Sequence, residues 1–378
     1  DLARGCIRGV IEQTGVDPHD IAAVSTTCMR EGIVLYDKDG QEIWACANVD
    51  ARSDDEVAQL VHMNPELEKQ IYRESGQTYA LGALPRLFWV KNKMPEVYEK
   101  TAVCTMFNDW LIYKMTGVFS SEPSNACTTG IFDLKARDWD DQIAASIGLK
   151  TGIFPKISEC GTVVAQVGAK GAAETGLAEG TPVVAGGGDA QLGCVGVGVV
   201  DANQAAIFGG SFWQYEYNTD EAKTDEHCRV RVNCHSVPGI WQYEALAFKP
   251  GMVMRWYRDA FCQYEKELSK TTGRDPYDLM NEKAKDIPAG CYGMMCAFSD
   301  VMNYISWRHA SPMFINFDFD PDKFNRYTFY RAIMENTAMI TKGHLELVRE
   351  LGGYLQDESF MDLLRNHGGK AAIMERLR

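Results

Sequence analysis

The sequence predicts a two-domain α/β protein, and three observations carry that prediction. Short apolar runs of strand length alternate with segments whose apolar residues recur at helical spacing. The chain has 378 residues, more than one hydrophobic core usually serves. Near its middle two apolar runs break into glycine: Pro182-Val183-Val184-Ala185 before Gly186-Gly187-Gly188, and Ala205-Ala206-Ile207-Phe208 before Gly209-Gly210. That glycine-rich centre is the expected boundary, giving domains of residues 1–198 and 199–378.

The elements follow in order. Leu2, Ile7, Val10 and Ile11 place a helix over residues 1–16, with Gly15 where it ends. Ile21-Ala22-Ala23-Val24-Ser25-Thr26-Thr27 reads as a buried strand running into the polar group Cys28-Met29-Arg30-Glu31-Gly32. Ile33-Val34-Leu35-Tyr36, the turn Asp37-Lys38-Asp39-Gly40 and Glu42-Ile43-Trp44-Ala45 form a hairpin pattern. Asn48, Asp50 and Arg52 then precede a helix rich in Asp and Glu. Together with Arg30 and Glu31 they can line a polyol pocket, since ionised side chains offer hydroxyls several directed hydrogen bonds. Spacing alone favours an ion-pair cluster at a sheet edge.

Helical spacing recurs over residues 84–90 and 109–115, and Trp89, Trp110 and Trp139 read as burial anchors. Ser120-Ser121-Glu122-Pro123-Ser124-Asn125-Ala126 is turn-rich, and residues 130–134 read as a strand. His227-Cys228 and Cys234-His235 have the residue types of metal ligands. The alternating Arg229-Val230-Arg231-Val232 between them would hold the two cysteines roughly 20 Å apart if it runs straight, so zinc is not expected. Residues 251–262 and 328–351 have helical patterns, with an irregular aromatic-rich stretch between Gly290 and Phe319.

Composition narrows the function classes. A formal charge of −14 argues against nucleic acid and against an anionic membrane as partner, because both attract basic surfaces. Twelve scattered cysteines without a compact spacing framework read as reduced thiols of a cytoplasmic protein. The Gly-x-x-x-x-Gly-Lys-Ser/Thr loop and the Gly-x-Gly-x-x-Gly fingerprint are both absent from the sequence. Attention therefore falls on Asp189, a lone carboxylate after three glycines at what reads as a strand, a tight turn and a helix start. There it can accept a proton from a hydroxyl, with glycines that clear room for a substrate, or simply cap the helix. From this stretch alone the cap is the better reading.

The chain resembles the FGGY family of carbohydrate kinases. The likeness lies in Cys28-Met29-Arg30-Glu31-Gly32, Asn48-Val49-Asp50-Ala51-Arg52, Pro123-Ser124-Asn125-Ala126, Gly186-Gly187-Gly188-Asp189-Ala190-Gln191, Phe208-Gly209-Gly210-Ser211 and Arg255-Trp256-Tyr257-Arg258, in that order. The resemblance implies an actin/hexokinase-like fold, each domain a ribonuclease-H-like sheet flanked by helices, with the site in an interdomain cleft. It implies Asp189 as the general base, Arg30, Glu31, Asp189 and Gln191 as the substrate-binding set, and Gly209, Gly210 and Ser211 as the phosphate contacts. ATP is the implied phosphoryl donor, with Mg2+ brought by the nucleotide and no residue of the chain assigned as a metal ligand. The implied reaction is phosphorylation of a hydroxyl on a small sugar-like substrate, a linear five-carbon one above all, with xylulose or glycerol as the alternatives. A non-catalytic sugar-binding fragment is the competing reading from another class.

Members of the family begin with an Asp-x-Gly-Thr phosphate loop and carry a glycine-rich adenosine loop near the far end. This chain opens beyond the first, and Asn366-His367-Gly368-Gly369-Lys370 does not match the second. The expectation is a kinase chain incomplete at both ends, inactive by itself, with a divergent tail after about Leu351.

Overall fold

The computed structural model describes residues 1–80, 82–298 and 312–352, so the tail beyond residue 352 lies outside the described residues. The chain divides into two compact units, Asp1–Gln204 with Asn218–Gln242, and Ala205–Tyr217 with Tyr243–Arg378.

In the first unit, helix α1 (Leu2–Thr14) ends where Gly15 turns left-handed at φ 65° and its N–H donates to the carbonyl of Ile11. Strand β1 (Val24–Cys28) follows, then β2 (Ile33–Tyr36) and β3 (Glu42–Cys46) as the expected hairpin, with Gly40 at φ 74° in the turn. Helices α2 (Asp54–Met63), α3 (Leu67–Ser75), α4 (Ala83–Lys93) and α5 (Pro95–Lys100) lead to β4 (Val103–Met106) and α6 (Phe107–Thr116). Strand β2 lies between β3 and β4, and its Ile33 and Leu35 are fully buried against Leu84, Leu87 and Phe88 of α4.

Next come α7 (Pro123–Ala126), the short strands β5 (Phe132–Asp133) and β6 (Asp138–Trp139), α8 (Asp141–Ser146), β7 (Val163–Gln166) and α9 (Ala169–Thr175). Strand β8 (Pro182–Gly188) then passes without an intervening turn into α10 (Asp189–Gly196). It is the middle strand of a three-stranded sheet, parallel to β1 and antiparallel to β7.

The chain continues through β9 (Ala205–Gly209), β10 (Trp213–Thr219), β11 (Arg231–Cys234) and β12 (Trp241–Ala247). The second unit then adds α11 (Pro250–Phe261), α12 (Gln263–Thr272), α13 (Pro276–Ala284), the antiparallel pair β13 (Met295–Ala297) and β14 (Met313–Ile315), and the long α14 (Arg326–Gly352). Tyr257 of α11 stacks on Tyr330 of α14 and its hydroxyl donates to the carbonyl of Arg326, tying those helices together. Among the described residues no helix is long and apolar enough to cross a membrane.

Two strands expected to be buried are not. In β1 only Thr26 is buried, because the strand is at the edge of its sheet, and β9 alternates half-buried with exposed residues in a hairpin with β10. The turn-rich stretch at 120–126 folds as a helical turn instead, since the Glu122 carboxylate accepts the amides of Ser124 and Asn125 while Pro123 supplies a pre-set first residue.

His235 is buried in the first unit with Nδ1 accepting the Val237 N–H at 2.8 Å and Nε2 donating to the Val199 carbonyl at 3.1 Å. That arrangement requires the neutral ring, and burial holds its pKa down to about 4 against an ordinary 6.5. The unfolded chain therefore binds the extra proton first, and this group costs stability as pH falls from about 6.5 towards 4. Replacing His235 by Asn removes that proton-binding site. Thermal melts across pH 4–7 are expected to show a shallower acid loss for the variant than for the parent; parallel curves would refute the assignment.

Candidate active site

Strands β1 and β8 run parallel, with one register shift between Ser25 and Thr27, and end with Cys28 opposite Gly188. The residues that follow them therefore emerge at one sheet edge: Arg30 and Glu31 after β1, and Asp189 after β8. Carboxyl ends of parallel strands are where α/β proteins place their ligands, because the helix amides and loop side chains converge there.

Asp189 is the first residue of α10, and Gly188, at φ −61° and ψ 147°, occupies the cap position. The cap reading of Asp189 thus gives way: its Oδ1 accepts the next amide, of Ala190, at 2.9 Å, and its side chain is 56% exposed. A carboxylate in the first turn is favoured as an anion by the helix dipole while remaining open to a reactant.

Beside it, the Arg30 side chain is only 4% exposed, and its Nε lies 4.0 Å from Asp189 Oδ1. The Arg30 methylenes lie across Gly188, where an added Cβ would come within 2.9 Å of Cγ. Glu31 is buried at φ 66°, an uncommon backbone for a residue with a side chain. Both its ends are held: its carbonyl accepts Arg86 NH1 at 3.0 Å, and its Oε1 accepts Arg231 NH1 at 2.7 Å. Arg231 Nε in turn donates to Gln77 Oε1 at 2.7 Å, and Gln77 Nε2 to Asn233 Oδ1 at 3.0 Å. Strain of about 1 kcal/mol or more at such a residue persists where surrounding bonds over-determine it, commonly at a functional site.

Gln191 faces inward from α10, fully buried, its Nε2 donating to Gln242 Oε1 at 3.0 Å. Asn48, Asp50 and Arg52 behave as the ion-pair reading predicts. Arg52 pairs with Asp50 at 2.6 Å, and its guanidinium rests 4.9 Å from the Trp89 ring, while the Asn48 carbonyl accepts Arg86. Arg231, Gln77, Asn233 and Arg86 were missed by the sequence reading. Their only sequence signal is the alternation Arg229-Val230-Arg231-Val232, which marks a strand but not which arginine turns inward.

The three glycines before Asp189 prove to be needed by the protein itself. A Cβ on Gly186 would lie 1.6 Å from the Thr26 carbonyl, and one on Gly187 would lie 2.5 Å from Ser236 Oγ. The expectation that they clear space for a substrate is corrected: they let β8 approach β1 and the buried hydroxyls, and all three belong to the strand.

In the second unit, Gly209, Gly210 and Ser211 form an exposed connection between β9 and β10. Gly210 N–H donates to the Phe212 carbonyl at 2.9 Å, and Met252 N–H, in the first turn of α11, donates to the Ser211 carbonyl at 3.3 Å. A Cβ on Gly251 would sit 1.8 Å from the Gly210 carbonyl, so glycine there is what lets the loop rest on the helix start. The positive end of α11 favours an anion near this loop.

The model for the FGGY family of carbohydrate kinases, N-terminal domain, matches residues 2–196. The autoinducer-2 kinase of Enterobacter sp. (strain 638) is 46% identical over 353 residues, covering 93% of this chain and 67% of the relative. Among solved structures, the xylulose kinase of Rhodospirillum rubrum superimposes with a TM-score of 0.78 at 21% identity, covering 93% of this chain and 69% of that one. The Plasmodium falciparum glycerol kinase with ADP gives a TM-score of 0.77 at 18% identity over the same shares, 93% and 69%. These two likenesses show the fold, the actin/hexokinase-like one expected from the resemblance. The chain spans about two thirds of the length of the curated relatives it matches.

The glycines divide into two classes that a melt separates. Gly186→Ala forces a Cβ into the Thr26 carbonyl and is expected to lower Tm by several degrees or prevent folding, a cost of about 2 kcal/mol or more. Gly210, whose nearest neighbour to an added Cβ is 3.8 Å away, is expected to accept alanine with Tm nearly unchanged. Equal melting points for the two variants would contradict the close approach of β1 and β8.

Proposed function

The chain belongs to the FGGY family of carbohydrate kinases, and on that premise we propose that it transfers the γ-phosphoryl group of ATP to a hydroxyl of a small sugar-like molecule, with Asp189 as the general base. The observation that carries this reading is the exposed Asp189 carboxylate at the shared end of β1 and β8, beside Arg30. For the substrate we read the linear autoinducer-2 precursor, 4,5-dihydroxypentane-2,3-dione, phosphorylated at a terminal hydroxyl. The support is the 46% identity to an autoinducer-2 kinase over 93% of the chain.

In this mechanism Asp189 takes the proton of the attacking hydroxyl as its oxygen bonds to the γ-phosphorus. The bond from that phosphorus to the β,γ-bridging oxygen breaks, and ADP leaves with the electron pair. Phosphoryl transfer asks chiefly for positioning and for a carboxylate near the nucleophile. Arg30, buried alongside, steers the carboxylate and offers donors to substrate oxygens; Glu31 and Gln191 act behind it through Arg231 and Gln242. Gly209, Gly210 and Ser211 at the start of α11 are the proposed phosphate contacts. Mg2+ is proposed to enter with the nucleotide and to shield its phosphate charge, with no residue of the chain assigned as its ligand. The acidic balance of −14 favours small-molecule partners over nucleic acid or membrane, in the cytoplasm.

Two measurements on the full-length protein test the reading. With ATP and a panel of the autoinducer-2 precursor, xylulose and glycerol, the precursor is expected to give the highest kcat/KM; a strong preference for xylulose or glycerol would reassign the substrate. Asp189→Asn is expected to lower kcat by about 10²–10⁴-fold with sugar affinity little changed. Turnover near the parent level would remove Asp189 from the chemistry.

A further inference from the structure

Behind Asp189 lies a buried polar relay that reaches the backbone on which it stands. Ser124 Oγ accepts the N–H of Gly188, the residue directly before Asp189, at 2.9 Å. The same hydroxyl donates to Glu122 Oε2 at 2.7 Å, and the Ser124 amide donates to that oxygen at 2.6 Å. The other carboxylate oxygen of Glu122 accepts the Asn125 amide at 2.9 Å and Asn108 Nδ2 at 3.3 Å. Cys160 Sγ completes the set, 3.2 Å from Oε2. Glu122, Ser124, Asn125 and Asn108 are all essentially without solvent exposure.

The direction of the relay matters. The Ser124 hydroxyl spends its one hydrogen on the Glu122 carboxyl oxygen and the Gly188 N–H can only donate, so the serine oxygen faces Gly188 as an acceptor and that hydrogen bond has one sense. Gly187 is what permits the approach, since a Cβ there would lie 3.1 Å from Ser124 Oγ and closer still to Ser236. Gly188 is also the cap residue of α10, so its orientation sets where the first helical side chain, Asp189, points. The far side of Gly188 is covered by the Arg30 stem.

We propose that Glu122 and Ser124 are positioning residues for phosphoryl transfer, holding the Gly188 peptide so that the Asp189 carboxylate is presented at the reacting hydroxyl. The proposal rests on the general-base reading of Asp189. It assigns no substrate contact to either residue. Their effect reaches the chemistry through one peptide unit, and misplacement of a reacting group by about an ångström is enough to cost about a hundredfold in rate.

The test measures kcat and KM, the sugar Kd without ATP by calorimetry, and Tm, on the full-length protein. Ser124→Ala, which deletes the acceptor for Gly188, is expected to lower kcat about tenfold to a hundredfold with the sugar Kd within about twofold of the parent. Glu122→Gln, nearly isosteric, is expected to act in the same direction, and the double variant to be no slower than the worse single one, because both act on one relay. Glu122→Gln carries the test alone if the alanine variant does not fold. A kcat within twofold of the parent overturns the proposal, as does a loss of kcat matched by loss of sugar binding and of folded protein. Multiplicative effects in the double variant overturn the shared relay. An active Asp189→Asn enzyme defeats the general-base reading itself, whereas an inactive one beside an unimpaired Ser124→Ala defeats the positioning role alone.

Discussion

The parallel pairing of β1 with β8 is the constraint on which the first unit's site depends. It exists because the later residues of β8 are glycines, and the carbonyl of Thr26 occupies space that any side chain on Gly186 would need. Close approach aligns Cys28 with Gly188, and that register alone decides that Arg30 and Asp189 leave the sheet side by side. A slip by one residue would turn every side chain of the strand to its other face and separate the pair.

Around that edge, many buried polar groups are answered by one another. Glu31 faces Arg231, Arg231 faces Gln77, Gln77 faces Asn233, and Glu122 collects amides and a hydroxyl from its own helical turn. Such networks are costly when half satisfied and rigid when complete, since the surrounding low dielectric strengthens every bond and penalises every vacancy. The consequence is a division of labour at the sheet edge: one exposed carboxylate, Asp189, standing on a support with almost no solvent access. Asp109, fully buried beside the same strands, sits well above the ordinary carboxylate range, chiefly through desolvation and then through the nearby Glu122. Its position suits a structural hydrogen bond to Ser121 at 2.6 Å.

Much of the architecture was legible. The helix ending at Gly15, the hairpin turning at Gly40 and the strand leading to Asp189 all carry local signals, the first two in turn glycines and the last in an apolar run. The burial of β1 and β9 was misjudged because an apolar run looks the same at the edge of a sheet as in its middle; the neighbours that decide the matter are distant in sequence. The role of Gly186, Gly187 and Gly188 was misread for the same reason. Sequence shows that something needs room there, but not that the claimants are Thr26, Ser236 and Arg30.

By itself, then, the sequence determined the periods, the turns and the identity of the carboxylate after the glycine run, because these depend on residues within a few positions of one another. Only the tertiary structure decided which partner each charge meets. Arg231 lies 200 positions from Glu31, and Ser124 lies 64 from Gly188, yet they meet at 2.7 and 2.9 Å. The physical reason is that a buried ion or amide selects its partner by distance and direction once strands have paired, and pairing is settled by packing across the whole unit. Asp189 could be named from the chain; the relay that holds it could not.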